Sequence, residues 1–196
     1  MAEKKIWLVA GLGNPGNGYK STRHNAGFMV VDALADAYAI SVGQKKFDAL
    51  IGRGRAEESE LILAKPMSFM NRSGFPLRGI ADYFRIPGKN LLVIHDDIDL
   101  AFGRIKIKEK GGHGGHKGVK SLMDAFGGGD FARLRIGVGR SENGASVADY
   151  VLGKFDPEES RHLEEIVAQA RNAVVTILCK GTKEGMNRFN NKSIMI

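Results

Sequence analysis

Two side chains capable of acid–base and hydrogen-bond chemistry, Asn14 and His24, follow an apolar run at residues 6–10. The segment that joins them begins with the sequence GLGNPG at residues 11–16, in which glycine and proline favour sharp backbone turns. An amide and an imidazole on such turns, just past a predicted strand, lie where α/β proteins usually bind their ligands. We therefore expect a functional site in the segment 11–28.

The same glycines spell G-x-G-x-x-G, the spacing of a dinucleotide-binding turn. That turn requires the glycines to open a helix and an acidic residue to end a second strand about 20 residues further on. Here Pro15 and the polar residues 17–22 predict a continued loop, while Asp32 and Asp36 fall within a predicted helix. The pattern therefore disfavours a dinucleotide cofactor.

A second cluster, with the sequence HDDID at residues 95–99, follows the strongly apolar run 91–94. A carboxylate that accepts a hydrogen bond from an imidazole fixes the tautomer of the ring and makes it a better base. Asp96 is therefore a candidate to orient His24. The alternative is that these acids only cap a turn, which Asp commonly does.

A third cluster is the glycine-rich loop 111–118, which contains His113, His116 and Lys117 and leads into a predicted helix. Exposed backbone N–H groups, a helix N-terminus and cationic side chains together favour a phosphate or a carboxylate. The histidines and the acids of the second cluster are also possible metal ligands. We expect no metal, because histidines in a flexible glycine loop lack the rigid spacing that preorganises zinc ligands.

A fourth segment, residues 65–74, lies between a predicted strand and a predicted helix and contains Phe69, Met70 and Asn71. Asn71 is either the N-cap of that helix or a second amide that faces Asn14 across a cleft. Phe69 and Met70 would then form the apolar wall of the cleft, although such residues more often pack in a core.

These four segments lie between elements of regular periodicity, which predict strands at 5–11, 49–56, 60–65, 91–95, 104–108 and 134–139 and helices at 25–38, 77–84, 119–126 and 156–180. The last helix has the clearest start, because Asp156 can cap it, Pro157 suits its first position and Glu159 suits its third. Strands that alternate with helices predict an α/β fold. We expect a single three-layer α/β/α domain over residues 1–196, with a mixed, largely parallel central sheet and a hairpin formed by 49–56 and 60–65.

The chain of 196 residues has a net charge of +7 and a pI near 9.5, and basic residues are concentrated at 104–120. Such a protein favours polyanions such as nucleic acid, although solvated surface lysine is an equally good explanation of the charge. No segment has the roughly 20 apolar residues of a membrane span. Because the chain contains one cysteine, Cys179, we expect no disulfide framework and a cytoplasmic location.

Taken together, these segments resemble the bacterial-type peptidyl-tRNA hydrolase family. The matching blocks are GLGNPG followed by Tyr19 and TRHNAGF at 22–28, FMNRSG at 69–74, HDDIDL at 95–100, GGHGGH at 111–116 and RLRIGVG at 133–139. They occur in the family's order, and the predicted C-terminal helix also fits. Five blocks in order are a far more specific signal than any single block.

The resemblance implies hydrolysis of the ester bond between tRNA and a peptide or N-blocked amino acid, which rescues peptidyl-tRNA released prematurely during translation. It implies His24 as the catalytic base, Asp96 as the carboxylate that stabilises it, and Asn14 as the residue that separates N-blocked from free aminoacyl substrates. The residues it implies in substrate and tRNA binding are Tyr19, Phe69, Met70, Asn71, Lys108 and Arg135. It implies no metal, no cofactor and no obligate protein partner, and we expect a monomer.

Ester hydrolysis suits these residues, because a water activated by Nε2 of His24 and a carbonyl polarised by amide donors need no covalent intermediate. A nucleophile is disfavoured, since no serine lies in a G-x-S-x-G elbow and Cys179 falls in the apolar pattern of the last predicted helix. Lys117 stands where the family usually has Asn, which keeps hydrogen-bond donors but adds a charge. We expect Lys117 to contact a phosphate or the product carboxylate.

Two alternatives remain at this stage. The first is an RNA-binding protein on the same scaffold, because plant organelle splicing factors resemble this family. The presence of His24, Asp96, Asn14 and Asn71 disfavours it, since a protein that only binds RNA needs no base paired with a carboxylate. The second is an unrelated hydrolase of small esters, whose rate would depend little on salt, whereas hydrolysis of a tRNA substrate would slow steeply at high salt.

Overall fold

The computed structural model describes residues 6–141 and 143–191. Its strands are β1 (Ile6–Gly11), β2 (Gln44–Lys46), β3 (Ala49–Ala56), β4 (Ser59–Pro66), β5 (Leu91–Asp97), β6 (Ile105–Lys108) and β7 (Ala132–Gly137). Its helices are α1 (Ala26–Ala37), α2 (Gly74–Tyr83), α3 (Lys117–Phe126), α4 (Val147–Leu152), α5 (Pro157–Lys180) and α6 (Thr182–Phe189).

The strands of the described residues form one mixed sheet in the order β2-β3-β4-β1-β5-β7-β6. The four central strands, β4, β1, β5 and β7, are parallel to one another. The outer strands β2, β3 and β6 add antiparallel pairs at the two flanks. The carboxyl ends of the parallel strands therefore meet at one edge of the sheet. The predicted mixed, largely parallel sheet and the predicted hairpin of β3 and β4 are confirmed.

Helices cover both faces of the sheet, so the fold has the predicted three-layer α/β/α arrangement. Side chains of β1 alternate between the two cores: Trp7 and Val9 pack in the core under α1 and α5, whereas Leu8 and Ala10 pack in the core under α2 and α3. This alternation is why the run reads as uniformly apolar in the sequence. None of the described helices combines the length and the apolar character that a bilayer crossing requires.

Two glycines allow the start of α1 to approach the carboxyl edge of the sheet closely. A Cβ at Gly11 would lie 2.2 Å from the carbonyl oxygen of Gly27, and a Cβ at Gly27 would lie 2.3 Å from the carbonyl oxygen of Ile94. Only glycine permits this close approach, so the start of α1 packs directly on the ends of β1 and β5. The segment just before α1, which contains His24, is thereby held beside the end of β5.

The structure differs from the predicted elements in a few places. β5 extends to Asp97, β7 spans Ala132–Gly137 where the periodicity predicted 134–139, and β2, α4 and α6 were not predicted. β2 is a short polar edge strand, and α4 has only six residues, so neither carries a clear hydrophobic period. The predicted start of β1 at Lys5 lies outside the described residues, whereas α5 begins and ends as predicted, with a capping box of Asp156 and Glu159.

Candidate active site

His24 lies in a short 3-10 turn, Arg23–Asn25, between the loop after β1 and the start of α1. The residue is buried, and its Nδ1 atom lies 2.8 Å from Oδ1 of Asp96, which comes from β5. An ionised carboxylate only accepts hydrogen bonds, so the neutral ring of His24 has its proton on Nδ1. Nε2 of the same ring is then left with a lone pair.

Asp96 binds a second imidazole through the same oxygen, because Nε2 of His116 lies 2.9 Å from Oδ1. His116 is the N-cap of α3, and its Nδ1 accepts hydrogen bonds from the backbone N–H groups of Gly118 and Val119 at 3.1 and 3.2 Å. Since Nδ1 accepts, Nε2 must carry the proton that is donated to Asp96. The start of α3 therefore fixes the tautomer of His116, and both rings donate to one carboxylate.

The surroundings of Asp96 hold its carboxyl group in the ionised form. Burial by itself would raise the pKa of this carboxyl group. The electrostatic interaction and the hydrogen bond with His116, together with the hydrogen bond from His24, outweigh burial and place the pKa of Asp96 well below its usual range. Asp96 therefore remains a carboxylate at every pH at which the protein would be expected to work.

The same three side chains also have the donor types of a metal site, and one ligand atom of each lies within 4.8 Å of the others. Both imidazole–carboxylate distances are those of direct hydrogen bonds, and the Nε2 proton of His116 points at the carboxylate. We therefore describe the three side chains as a hydrogen-bonded network. In this network Nδ1 of His24 and Nε2 of His116 each act as a hydrogen-bond donor to Asp96.

Asn14 is fixed by hydrogen bonds that leave its NH₂ group free. Its backbone N–H donates to Oδ1 of Asn25 at 2.9 Å, and Nδ2 of Asn25 donates back to the Asn14 carbonyl at 3.0 Å. The side-chain Oδ1 of Asn14 accepts from the backbone N–H of Met70 at 2.9 Å. The amide is therefore oriented as a hydrogen-bond donor, with the NH₂ group available to a ligand.

A cavity of about 680 Å³ opens over these side chains. Its volume falls within the range of roughly 300–1,000 Å³ that is usual for ligand sites. It is lined by Asn14, Tyr19, His24, Phe69, Met70, Asn71, Asp96, Asp97, Ile98, His113, Gly114, Gly115, His116, Lys117, Val147, Ala148, Val151 and Leu152. All four segments singled out in the sequence thus contribute to one cavity, which we call the catalytic cavity.

Phe69 and Met70 line the cavity as predicted, but only Phe69 is exposed to it as a free apolar wall. Phe69 is 59% exposed, whereas Met70 is buried and belongs both to the wall and to the core under α2 and α3. Asn71 is exposed in the 3-10 turn Met70–Arg72, and the N-cap position of α2 is occupied by Ser73. The interpretation of Asn71 as a helix cap is therefore wrong, and its side chain is available at the cavity.

Lys108 and Arg135, the predicted phosphate contacts, lie outside the catalytic cavity on the neighbouring strands β6 and β7. Lys108 is exposed. Arg135 is only 16% exposed in its side chain, and its Nε donates to Oδ2 of Asp97 at 2.5 Å. This bond lowers the pKa of Asp97 against the effect of its burial, and it links the basic flank of the sheet to the residue beside Asp96.

The other acids of the segment 95–99 and the other histidine of the loop 111–118 have separate hydrogen-bond partners. Asp99 pairs with Arg140, and Oδ1 of Asp97 accepts from the backbone N–H of Asp99 at 2.9 Å, which confirms a turn-capping role for Asp97. Nδ1 of His113 accepts from the backbone N–H of Gly115 at 3.0 Å. Of the metal ligands considered from the sequence, only Asp96 and His116 therefore come together among the described residues.

Cys179 is exposed on α5 and does not line the catalytic cavity. The expectation that it belongs to the apolar face of that helix is wrong, because the buried stripe of α5 passes through Val174, Ile177 and Leu178 instead. Its position is consistent with the expectation that it is not a nucleophile.

Arg23 is a residue that the sequence did not single out, although it directly precedes His24. It is buried, its Nη2 atom lies 2.5 Å from Oε2 of Glu159, and its guanidinium lies 4.3 Å above the ring of Tyr150. Nη1 of Arg23 also donates to the carbonyl of Lys154 at 2.8 Å. These contacts fasten α4, which forms one wall of the cavity, to the turn that holds His24.

Arg133 plays a comparable part for the glycine-rich loop. Its two Nη atoms each donate to a loop carbonyl, that of Gly112 and that of Gly111, at 2.5 Å. In the sequence, Arg133 stands out only as the first residue of the RLRIGVG block, directly before the predicted strand 134–139. The arginine restrains the loop that leads to His116.

His95 is buried between Asp96 and His116, and its ring centroid lies 4.7 Å from that of His116. Burial, with the electrostatic interaction with His116 as the next cause, lowers the pKa of His95 to about 3. In the unfolded chain a histidine binds a proton below a pH of about 6.5. Between these two values the unfolded state binds more protons than the folded state, so the stability falls as the pH falls.

We therefore expect His95 to make the protein acid-sensitive. Its contribution to the free energy of unfolding should fall by about 2 kcal/mol between pH 7 and pH 5, at about 1.4 kcal/mol per pH unit below 6.5. Urea unfolding of the wild type and of His95→Asn at both pH values measures this loss. Asn keeps a donor near the position of Nδ1 but does not titrate, so an equal pH dependence in both proteins would contradict the assignment.

The fold and the site together define an α/β protein with a carboxylate-bound histidine in a cavity at the carboxyl edge of its sheet. Comparison with known proteins specifies the class further. The model of the family described as peptidyl-tRNA hydrolase matches residues 8–195. The chain belongs to the peptidyl-tRNA hydrolase family.

Individual relatives agree with this assignment. The peptidyl-tRNA hydrolase of Bacillus subtilis (strain 168) is 46% identical over 185 residues, which cover 94% of this chain and 98% of the relative. That of Desulforudis audaxviator (strain MP104C) is 45% identical over 188 residues, 96% of this chain and 95% of the relative. A crystal structure of peptidyl-tRNA hydrolase from Acinetobacter baumannii matches with a TM-score of 0.90 at 37% identity over 98% of both chains.

Proposed function

We propose that His24 is the general base, Asp96 its orienting carboxylate and Asn14 the donor to the reacting carbonyl in the hydrolysis of peptidyl-tRNA. The chain is a hydrolase of the ester bond that joins the peptide to tRNA. The main support for these roles is the 2.8 Å hydrogen bond from Nδ1 of His24 to Oδ1 of Asp96 at the catalytic cavity. The bond leaves Nε2 as the only ring nitrogen of His24 that can accept a proton.

The reaction follows from these positions. A water molecule attacks the acyl carbon of the ester while Nε2 of His24 takes one of its protons. The NH₂ group of Asn14 donates to the carbonyl oxygen, which becomes negative in the tetrahedral intermediate. When the bond to the ribose oxygen breaks, His24 returns the proton to that oxygen, and the products are free tRNA and a peptide carboxylate.

The remaining predicted site residues are assigned to binding. Tyr19, Phe69, Met70 and Asn71 surround the acyl group in the catalytic cavity, and support comes from their common lining of that cavity. Lys108 and Arg135 are assigned to the phosphates of tRNA, which places the nucleic acid over β6 and β7. We also propose that residues 1–196 act as one domain, as a cytoplasmic monomer without a cofactor.

The experiment that tests this function measures the release of N-acetyl-amino acid from N-acetyl-aminoacyl-tRNA, with unblocked aminoacyl-tRNA as the control substrate. We expect rapid release from the blocked substrate only, and a rate that falls steeply with added salt because phosphate contacts are lost. Binding of tRNA without release would instead support an RNA-binding protein on this scaffold. Release that is insensitive to salt would support a hydrolase of small esters.

Lys117 is predicted to contact an anionic group of the substrate at the catalytic cavity. It is exposed at the first position of α3, where a positive charge is unfavourable to the helix dipole, and it lines the catalytic cavity. We expect Lys117→Asn to raise KM and to reduce the salt slope of log KM by about one unit, the effect of one lost phosphate contact. Lys120→Asn, one turn further along the same exposed helix face, is the control. Unchanged KM and salt slope in Lys117→Asn would refute a contact with an anion.

A further inference from the structure

A second cavity, of about 730 Å³, lies beside the catalytic cavity and is formed by the β2–β3 turn, the loop after β4 and the start of α2. Its lining includes the apolar side chains Phe47, Met67 and Phe75 and the basic side chains Lys45 and Arg72. The segment 67–72 separates the two cavities. Met67, Ser68 and Arg72 line the second cavity, whereas Phe69, Met70 and Asn71 line the catalytic one.

The exposed apolar side chains of the described residues are concentrated around these two cavities. Phe69, Val147 and Leu152 line the catalytic cavity, and Phe47, Met67 and Phe75 line the second. The remaining exposed apolar side chain of the described residues is Tyr83, whose ring centroid lies 5.8 Å from that of Phe47. We call Phe47, Met67, Phe75 and Tyr83 the apolar shelf. Exposed apolar surface that is contiguous in this way marks a binding site.

The local structure exposes the shelf at a conformational cost. Phe47 and Asp48 both have positive φ, 50° and 56°, in the two-residue turn of the β2–β3 hairpin. Such turns favour Asn and Gly, and a bulky aromatic residue in this conformation is strained. Phe75 is 79% exposed although it lies on a helix whose other face is buried. The strain at Phe47 is of the kind found at ligand sites.

The sheet order indicates what binds there. In the strand order of the sheet, the apolar shelf lies on the β2–β3–β4 side, the His24–Asp96 pair lies at the centre beside β1 and β5, and Lys108 and Arg135 lie on the β7–β6 side. Arg135 is in register with His95 and Lys108 with Arg133, so both basic residues lie further from the carboxyl edge than Asp96 does. The ester bond of the substrate has tRNA on one side and peptide on the other. With the ester at His24 and tRNA over β6 and β7, the peptide leaves towards the shelf.

We propose that the apolar shelf binds the part of the substrate peptide that lies several residues before the ester bond. This inference rests on the proposed function, since it assumes the ester at His24 and the tRNA over β6 and β7. The segment 67–72 lines both cavities and Phe69 lines the catalytic one, so the peptide crosses this segment beside Phe69. The shelf gives apolar contact to varied side chains, and Lys45 and Arg72 suit peptide carbonyls and acidic side chains.

The test compares two substrates with the same tRNA and the same C-terminal residue, N-acetyl-aminoacyl-tRNA and an octapeptidyl-tRNA with apolar residues. We expect Phe75→Glu to lower kcat/KM about tenfold for the octapeptidyl substrate, because apolar contact is lost, and to leave the short substrate within a factor of two. Phe75→Leu should retain most of the activity on the long substrate. Arg78→Ala, an exposed change on the same helix, is the control for both.

Each other outcome has a definite meaning. Equal losses on both substrates would overturn the proposal and show that the shelf binds tRNA, which both substrates contain. No loss on either substrate would overturn it as well, and a lower molecular mass of Phe75→Glu by light scattering would then assign the shelf to a second copy of the chain. If the wild type hydrolysed neither substrate, the proposed function itself would be wrong.

Discussion

Replacement of His24 by Ala should reduce the single-turnover rate of N-acetyl-aminoacyl-tRNA hydrolysis by about 10²–10⁴-fold, the usual contribution of general base catalysis. The reason is that His24 presents the lone pair at Nε2, while the other imidazole bound to Asp96, that of His116, has its Nδ1 occupied by the start of α3. No neighbouring ring can therefore replace it. Filter binding of tRNA should be nearly unchanged, since the phosphate contacts are assigned to β6 and β7.

A matched control for this variant is His113→Ala, because His113 also lines the catalytic cavity but, among the residues the structure describes, hydrogen-bonds within its own loop. We expect His113→Ala to retain most of the rate. A near-native rate in His24→Ala would reject His24 as the base. A large loss of tRNA affinity in the same variant would show that the change disturbs binding. His24→Gln, whose side chain is closer to His in size, would then be measured in its place.

Asp96→Asn should also produce a large loss, about 10²-fold or more in the single-turnover rate. Asp96 accepts from two imidazole N–H groups through one oxygen, whereas an amide side chain offers one acceptor oxygen and an NH₂ group that must itself donate. If the NH₂ group faces His24, Nδ1 becomes the acceptor and the proton moves to Nε2, which can then no longer take a proton from water. KM should change far less than kcat, because Asp96 is buried behind the rings.

Asp97→Asn is the control for this change, since Asp97 is the adjacent carboxylate and bonds to Arg135 instead of the histidines. We expect Asp97→Asn to affect KM and its salt dependence more than kcat. If Asp96→Asn lost no more activity than Asp97→Asn, the special role of Asp96 would be refuted. Thermal unfolding of both variants separates a loss of activity from a loss of folded protein.

The sequence was sufficient to predict the central strands of the sheet and the four segments that contribute to the cavity, because both depend on local patterns. The strand after residue 90 is uniformly apolar and ends in acids, and parallel strands bring such ends to one edge. The contact of His24 with Asp96 follows from that edge, although 72 positions separate the two residues in the chain. The α5 start was equally clear, since Asp156, Pro157 and Glu159 form a complete capping signal.

Other features could not be predicted, because they depend on contacts between distant segments. The orientation of Asn14 depends on the backbone of Met70, and the tautomer of His116 depends on its position at the first turn of α3. β2 and α4 are short and partly exposed, so their sequences lack a hydrophobic period. In the sequence, Arg23 is one of many basic residues, and its burial results from contacts with the distant residues Glu159 and Tyr150.

The most direct measurement is ¹⁵N NMR of the His24 imidazole, which reports which nitrogen of the neutral ring holds the proton. For the wild type we expect a protonated Nδ1 and a free Nε2, since Nδ1 donates to Asp96. In Asp96→Asn the proton should move towards Nε2, in parallel with the loss of single-turnover rate. A wild-type ring with its proton on Nε2 would contradict the assignment of His24 as the base.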